Sequence, residues 1–147
     1  MLDFARQKKL TEFFEGRREF AYSDSKGLIT IGIGRNINEG GRGLSEQEIE
    51  LLFSNDLRRV EGELVENLPW LGTLASARRA VLADMCFCMG WPVFSKFKML
   101  FSACQQGDWG RAIVSIQESK FAKDVGPRRT NPLSEMMRTG EWPPLCE

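Results

Sequence analysis

FFEGRREFAYSDSKGLITIGIGR, residues 13–35, changes rhythm partway along, and that change decides the fold. Leu10, Phe13 and Phe14, at i, i+3 and i+4, predict a short amphipathic helix ending near Glu15, with Gly16 placed to break it. Beyond it Phe20 and Tyr22, the turn-like Asp24-Ser25-Lys26-Gly27 and the run Leu28 to Gly34 read as a β-hairpin. In the second strand Ile29, Ile31 and Ile33 share one face, which leaves Leu28, Thr30, Gly32 and Gly34 on the other. Two glycines on one strand face predict a close approach to the backbone there. Glu15 at a helix end and Asp24 at a hairpin turn then stand on either side of one short connection, where both can reach one cleft.

Working outward, Glu39-Gly40-Gly41-Arg42-Gly43 is a glycine-rich loop, and Ser45-Glu46-Gln47-Glu48 is an S-x-x-E capping box that opens a helix. Ile49, Leu52, Phe53, Leu57, Val60 and Leu64 keep helical spacing for about five turns, until Pro69. The remainder is helical. Val81, Leu82, Met85 and Met89 mark one helix ended by Gly90, Phe97 to Cys104 a second ended by Gly107, and Trp109 to Ile116 a third. A last helix is expected to begin at Asn131 with Pro132 in its first position and to stop at Gly140. The fold class is therefore α+β: a small lobe with a β-hairpin or short antiparallel sheet, joined by a long helix to a larger all-helical lobe. Residues 1–147 are read as one domain, with a small lobe of about 15–60 and a helical lobe of about 61–147 plus the N-terminal helix.

Composition removes several chemistries. With no histidine among 147 residues, Ser-His and Cys-His nucleophiles and His-ligated zinc are excluded, so proton transfer falls to carboxylates. Twenty basic residues balance twenty acidic ones, which disfavours a nucleic-acid partner held by phosphate neutralisation. Cys86, Cys88, Cys104 and Cys146 lack paired C-x-x-C spacing and read as free thiols, packed in the interior. Asp3 and Arg6 interrupt any apolar leader, and no run approaches the roughly 20 apolar residues of a membrane span, so neither an export signal nor membrane insertion is expected.

Glycosidic cleavage needs a protonated carboxylic acid beside the leaving oxygen and a second carboxylate to act on the sugar carbon or on a water. Glu15 suits the first role and Asp24, in a polar turn, the second, while Thr30 offers a hydroxyl to orient water. Singly these residues are ordinary: a solvated helix end, a turn opener, a strand former. Their joint pattern, Glu15-x8-Asp24-x5-Thr30 running into Thr-Ile-Gly-Ile-Gly, is not.

That segment resembles the catalytic segment of the T-even phage lysozyme family, glycoside hydrolase family 24. Similarity continues through LSEQEIELLFSNDL (44–57), ARRAVLADMCFCMG (77–90) and RRTNPLSEMMRTGEWP (128–143), which look like the family's inter-lobe helix, buried central helix and C-terminal signature. The resemblance implies a lysozyme-like fold with the cleft between its lobes, and hydrolysis, with inversion, of the β-1,4 bond between N-acetylmuramic acid and N-acetylglucosamine in bacterial peptidoglycan. It makes Glu15 the general acid, Asp24 the carboxylate partner and Thr30 the holder of the water. Gly34, Asn36 and Phe87 would touch sugar, and Arg129 would pair with the acid. No cofactor or metal is expected, because carboxylates and water suffice, and a monomer is expected. The implied biology is an endolysin that waits in the host cytoplasm until a holin-type protein releases it to the periplasm and wall.

Several departures from that family accompany the likeness, the neutral net charge among them. Arg35 stands where many relatives have a histidine, which removes a known type of ion pair, Cys88 replaces an amide residue, and the loop before Ser45 is short. Two other readings of the chain are a lytic transglycosylase, which leaves 1,6-anhydro ends, and a non-catalytic wall-binding or virion module. The paired arginines at 58–59, 78–79 and 128–129 read as solvated helix faces, and the four tryptophans as core anchors.

Overall fold

The computed structural model describes residues 2–146. Among them it has eight α-helices, two 3-10 turns and one three-stranded antiparallel sheet with its strands in chain order, which is the expected α+β class. The chain divides into two compact units, Met1–Leu52 and Phe53–Glu147. None of its described helices is long and apolar enough to cross a membrane.

The first unit opens with α1, Phe4–Glu15, capped by the Asp3 carboxylate on the Arg6 N–H at 3.2 Å and ended by Gly16 at φ 74°. Strands β1 (Arg18–Ser23) and β2 (Ile29–Gly32) form the hairpin, with Tyr22 facing Thr30 and Ser23 facing Ile29. β2 does not continue to Gly34 as the sequence suggested. Gly32 and Gly34 both adopt positive φ, 68° and 66°, which reverses the chain into β3, Arg35–Asn36. Thr30 then faces Asn36 and Ile31 faces Arg35.

α2, Glu46–Asn67, opens on the expected capping box: Ser45 Oγ accepts from the Glu48 N–H at 3.2 Å, and Glu48 Oε2 accepts from the Ser45 N–H at 2.8 Å. Its 22 residues make about six turns, and it ends before Pro69.

The second unit holds α3 (Ser76–Met89), α4 (Trp91–Phe94), α5 (Lys98–Gln106), α6 (Trp109–Gln117), α7 (Lys120–Val125) and α8 (Pro127–Thr139). Every buried apolar residue of the described chain lies here, from Val60 to Met137, with Val81, Leu82, Met85 and Cys86 of α3 at the centre. α8 begins four residues before the expected Asn131, because Pro127 takes the first helical position and Pro132 lies inside the helix.

Arg78, expected on a solvated face, is half-buried. Its guanidinium lies 3.7 Å from the Trp109 ring centroid, and it donates to the Met137 and Arg138 carbonyls at 2.9 and 3.1 Å. Trp70, Trp91 and Trp109 pack against the core as anchors, while Trp142 is exposed and donates its Nε1–H to Ser76 Oγ at 3.0 Å. All four cysteines are free thiols. Cys86 and Cys104 are interior, and burial pushes each thiol up to about 11; Cys88 and Cys146 are exposed, contrary to the expected packing.

Candidate active site

Glu15 is the last residue of α1, and its carboxyl rests against the backbone of Gly34. A Cβ at position 34 would lie 2.6 Å from Glu15 Oε2 and 2.8 Å from its Cδ. The close approach predicted from the two glycines is therefore made at Gly34, by the Glu15 side chain itself. Gly32 has no such neighbour, since a Cβ there would meet nothing within 4 Å.

Asp24 closes the β1–β2 turn with one carboxylate oxygen. Its Oδ1 accepts from the N–H groups of Lys26 and Leu28, both at 2.8 Å, while its own N–H donates to the Leu28 carbonyl at 2.9 Å. Turn formation thus occupies Oδ1 and leaves Oδ2 for other partners. Thr30, only 4% exposed, donates its hydroxyl proton to that same Leu28 carbonyl at 3.1 Å. With its proton committed, Thr30 Oγ1 has only acceptor capacity to offer a further group. Asp24 and Thr30 are consequently anchored on one peptide unit, a link the sequence pattern did not reveal.

Asn36 faces Thr30 across the β2–β3 pair. Its side chain is held locally: Oδ1 accepts from the Asn38 N–H at 3.0 Å, and a Cβ at Gly41 would come within 2.6 Å of Asn36 Cγ. Asn38 Oδ1 in turn accepts from the Ile29 N–H at 2.9 Å, so the loop after β3 is tied back to the start of β2. Asn38 was not singled out from sequence, although an Asn two residues beyond Asn36 is a usual signal of side-chain to backbone bonding.

Arg35 makes an ion pair of its own where the loss of a histidine pair was expected. Its Nη2 donates to Glu48 Oε1 at 2.6 Å, and Nη1 donates to Glu48 Oε2 at 3.2 Å and to the Gly43 carbonyl at 3.1 Å. The Ser45 N–H, then the Arg35 guanidinium, hold the Glu48 carboxyl below the ordinary carboxylate range.

In the second unit Phe87 and Arg129 line one surface groove of about 530 Å³, together with Asp84 and Trp142. Phe87 packs edge-on to Phe53, centroids 5.8 Å apart. Arg129 forms a bidentate pair with Asp84, Nε to Oδ2 at 2.8 Å and Nη2 to Oδ1 at 2.9 Å, which raises the guanidinium above its ordinary range. Asp84 was missed in the sequence reading, because a carboxylate on a helix face carries no signal of its partner 45 residues away.

A small antiparallel sheet and a bundle of helices, with a helix-end glutamate seated on a glycine and a turn aspartate beside a threonine, define a lysozyme-like α+β protein. Comparison with known proteins agrees: residues 12–133 match the family described as "Phage lysozyme". The chain belongs to the phage lysozyme family. Two relatives from Dictyostelium discoideum, named "Probable T4-type lysozyme 2" and "Probable T4-type lysozyme 1", are 29% and 27% identical to it. Each alignment spans 161 positions and covers 90% of this chain and 94% of the relative. Membership makes the chain a glycosidase of the lysozyme kind.

Proposed function

We propose that the chain hydrolyses the β-1,4 bond between N-acetylmuramic acid and N-acetylglucosamine in bacterial peptidoglycan, with Glu15 as general acid and Asp24 as general base. The observation that carries this reading is the division of labour at Asp24: one oxygen builds the turn, and the other is left for a water. A water that attacks the anomeric carbon must donate its protons away from the sugar. Asp24 Oδ2 and Thr30 Oγ1 are the two acceptors available to it, Thr30 being restricted to acceptance by its bond to Leu28.

Inversion is the stereochemical outcome that the resemblance implies for this reading, with a water placed between acid and base. Gly34 and Asn36 serve it as sugar contacts, and the resemblance implies sugar contact by Phe87 and a supporting role for Arg129. The resemblance to phage enzymes extends the reading to an endolysin released to the wall with a holin-type protein.

The test is clearance of outer-membrane-permeabilised bacteria by wild type and by Glu15→Gln, with mass spectrometry of the released muropeptides. Glu15→Gln is expected to lose at least about 100-fold in rate with folding intact. Equal clearance by both proteins removes Glu15 from the mechanism, anhydro ends convert the hydrolase to a transglycosylase, and no clearance by wild type leaves a wall-binding module.

A further inference from the structure

We propose that Arg35 and Glu48 are positioning residues that fix Gly34, and through it the Glu15 carboxyl, by clasping the first turn of α2 to the start of β3. The inference rests on the reading of Glu15 as the acid.

The turn on which Glu15 rests is intrinsically loose. Two of its three residues, Gly32 and Gly34, are glycines at positive φ, and a glycine loses more backbone freedom on ordering than any other residue. On the β2 side the ladder ends at Gly32, which pairs with Arg18 of β1, and Ile31 is the last residue of β2 paired with β3, so Ile33 and Gly34 lie outside the sheet pairing. On the other side its covalent neighbour is Arg35, and Arg35 is held at three points: two on the Glu48 carboxylate and one on the Gly43 carbonyl.

Glu48 is itself doubly fixed. The oxygen that receives Arg35 Nη1 also accepts from the Ser45 N–H, so the carboxylate belongs at once to the helix cap and to the clasp. A bidentate guanidinium–carboxylate pair sets direction as well as attraction, which an isolated surface ion pair does not. The consequence is geometric: Gly34 sits one peptide from a rigid point, and the Glu15 carboxyl lies within van der Waals range of Gly34. The pairing also keeps a bare positive charge from standing next to the residue that carries the acid. Misplacement of a reacting group by about 1 Å costs on the order of 100-fold in rate, so partial loosening of this seat should appear in turnover.

The experiment compares wild type, Arg35→Ala, Arg35→Lys, Glu48→Gln and the exchanged pair Arg35→Glu/Glu48→Arg. Each is assayed on solubilised glycan strands below its melting temperature, with the nuclear Overhauser contact between Glu15 Hγ and Gly34 Hα as a second readout. In Glu48→Gln the amide oxygen still caps Ser45, which keeps the helix start and isolates loss of the clasp. The expected result is a fall in kcat of about tenfold in Arg35→Ala and Glu48→Gln with KM within about twofold. The Glu15–Gly34 contact should weaken in both, and both readouts should be kept in part in Arg35→Lys, whereas the exchanged pair, which loses the Ser45 cap and the Gly43 bond, should not restore them.

Unchanged kcat and an unchanged Glu15–Gly34 contact in folded Glu48→Gln overturn the proposal, as does absence of that contact in wild type. Failure of the underlying reading looks different: Glu15→Gln turns over as fast as wild type, whatever the clasp variants do to the contact.

Discussion

Replacing Gly34 with alanine, alongside the same replacement at Gly32, separates the seat of Glu15 from the cost of the turn. The two glycines have nearly equal φ, 66° and 68°, so an added Cβ carries the same left-handed penalty of about 1–2 kcal/mol at each. Only their surroundings differ. At position 32 the new methyl meets nothing within 4 Å, whereas at position 34 it stands 2.6 Å from Glu15 Oε2 and 2.8 Å from Cδ. To regain ordinary contact the carboxyl must retreat by about 0.8 Å. The end of a flexible glutamate gives way at little cost in stability, so melting temperatures of the two variants should fall together by a few degrees. Activity should not fall together. A displacement of that size in the proposed proton donor is expected to reduce kcat/KM by about 30- to 100-fold in Gly34→Ala, against less than about threefold in Gly32→Ala. Circular dichroism melts and initial rates of turbidity loss on permeabilised cells measure the two quantities. Equal rates for the two variants, in either direction, would refute the argument that Gly34 is glycine for the sake of Glu15.

Asp24→Asn should keep the turn, since an amide oxygen accepts the Lys26 and Leu28 N–H groups as Oδ1 does, yet lose at least about 100-fold in rate; Asp24→Ala should lose the same activity and a further about 1–2 kcal/mol of stability. Thermal melts and rates on the same preparations check both. Arg78→Ala removes two charged donors from the end of α8 and the cation over Trp109, worth together about 3 kcal/mol, and should lower the melting temperature by roughly 10 °C with kcat unchanged. Because burial raises Cys86 and Cys104 to about 11, they stay protonated near pH 8, and a thiol reagent there should modify Cys88 and Cys146 rapidly and the other two only as the chain unfolds.

The elements most legible in the sequence were those set by local chemistry. Ser45 and Glu48 are three apart, as reciprocal caps require, and the structure has both bonds. Gly16, Gly90, Gly107 and Gly140 end helices at positive φ where the periodic pattern stops. The misreadings arose where two local signals competed or where the deciding contact was remote. Gly32 and Gly34 fit a strand face and a chain reversal equally well, and only the pairing of Ile31 with Arg35 settles for the reversal. Pro127 and Pro132 are both suited to a first helical position, and the earlier one takes it. Arg78 and Asp84 bond to residues 59 and 45 positions away, beyond any periodicity. At the candidate site, the spacing names candidates, but their mountings, Glu15 on Gly34 and both Asp24 and Thr30 on the Leu28 peptide, were not legible.

These mountings have a common character that bears on how the protein responds to change. Thr30 is the only buried side chain among the described residues of the first unit, whereas all the buried apolar residues begin at Val60. The candidate site residues before position 52 are therefore held by hydrogen bonds, turns and close backbone contacts rather than by packing. A small sheet of three short strands gains little from apolar burial, so its geometry depends on each such bond individually. The α3 core works the other way: Leu82→Ala there removes packing worth about 2–5 kcal/mol, yet touches none of those bonds. Stability and site geometry are lodged in different stretches of this chain. Substitutions that lower melting temperature without altering turnover should cluster after Val60, and those that alter turnover at nearly constant melting temperature should cluster among Glu15, Asp24, Gly34, Arg35 and Glu48.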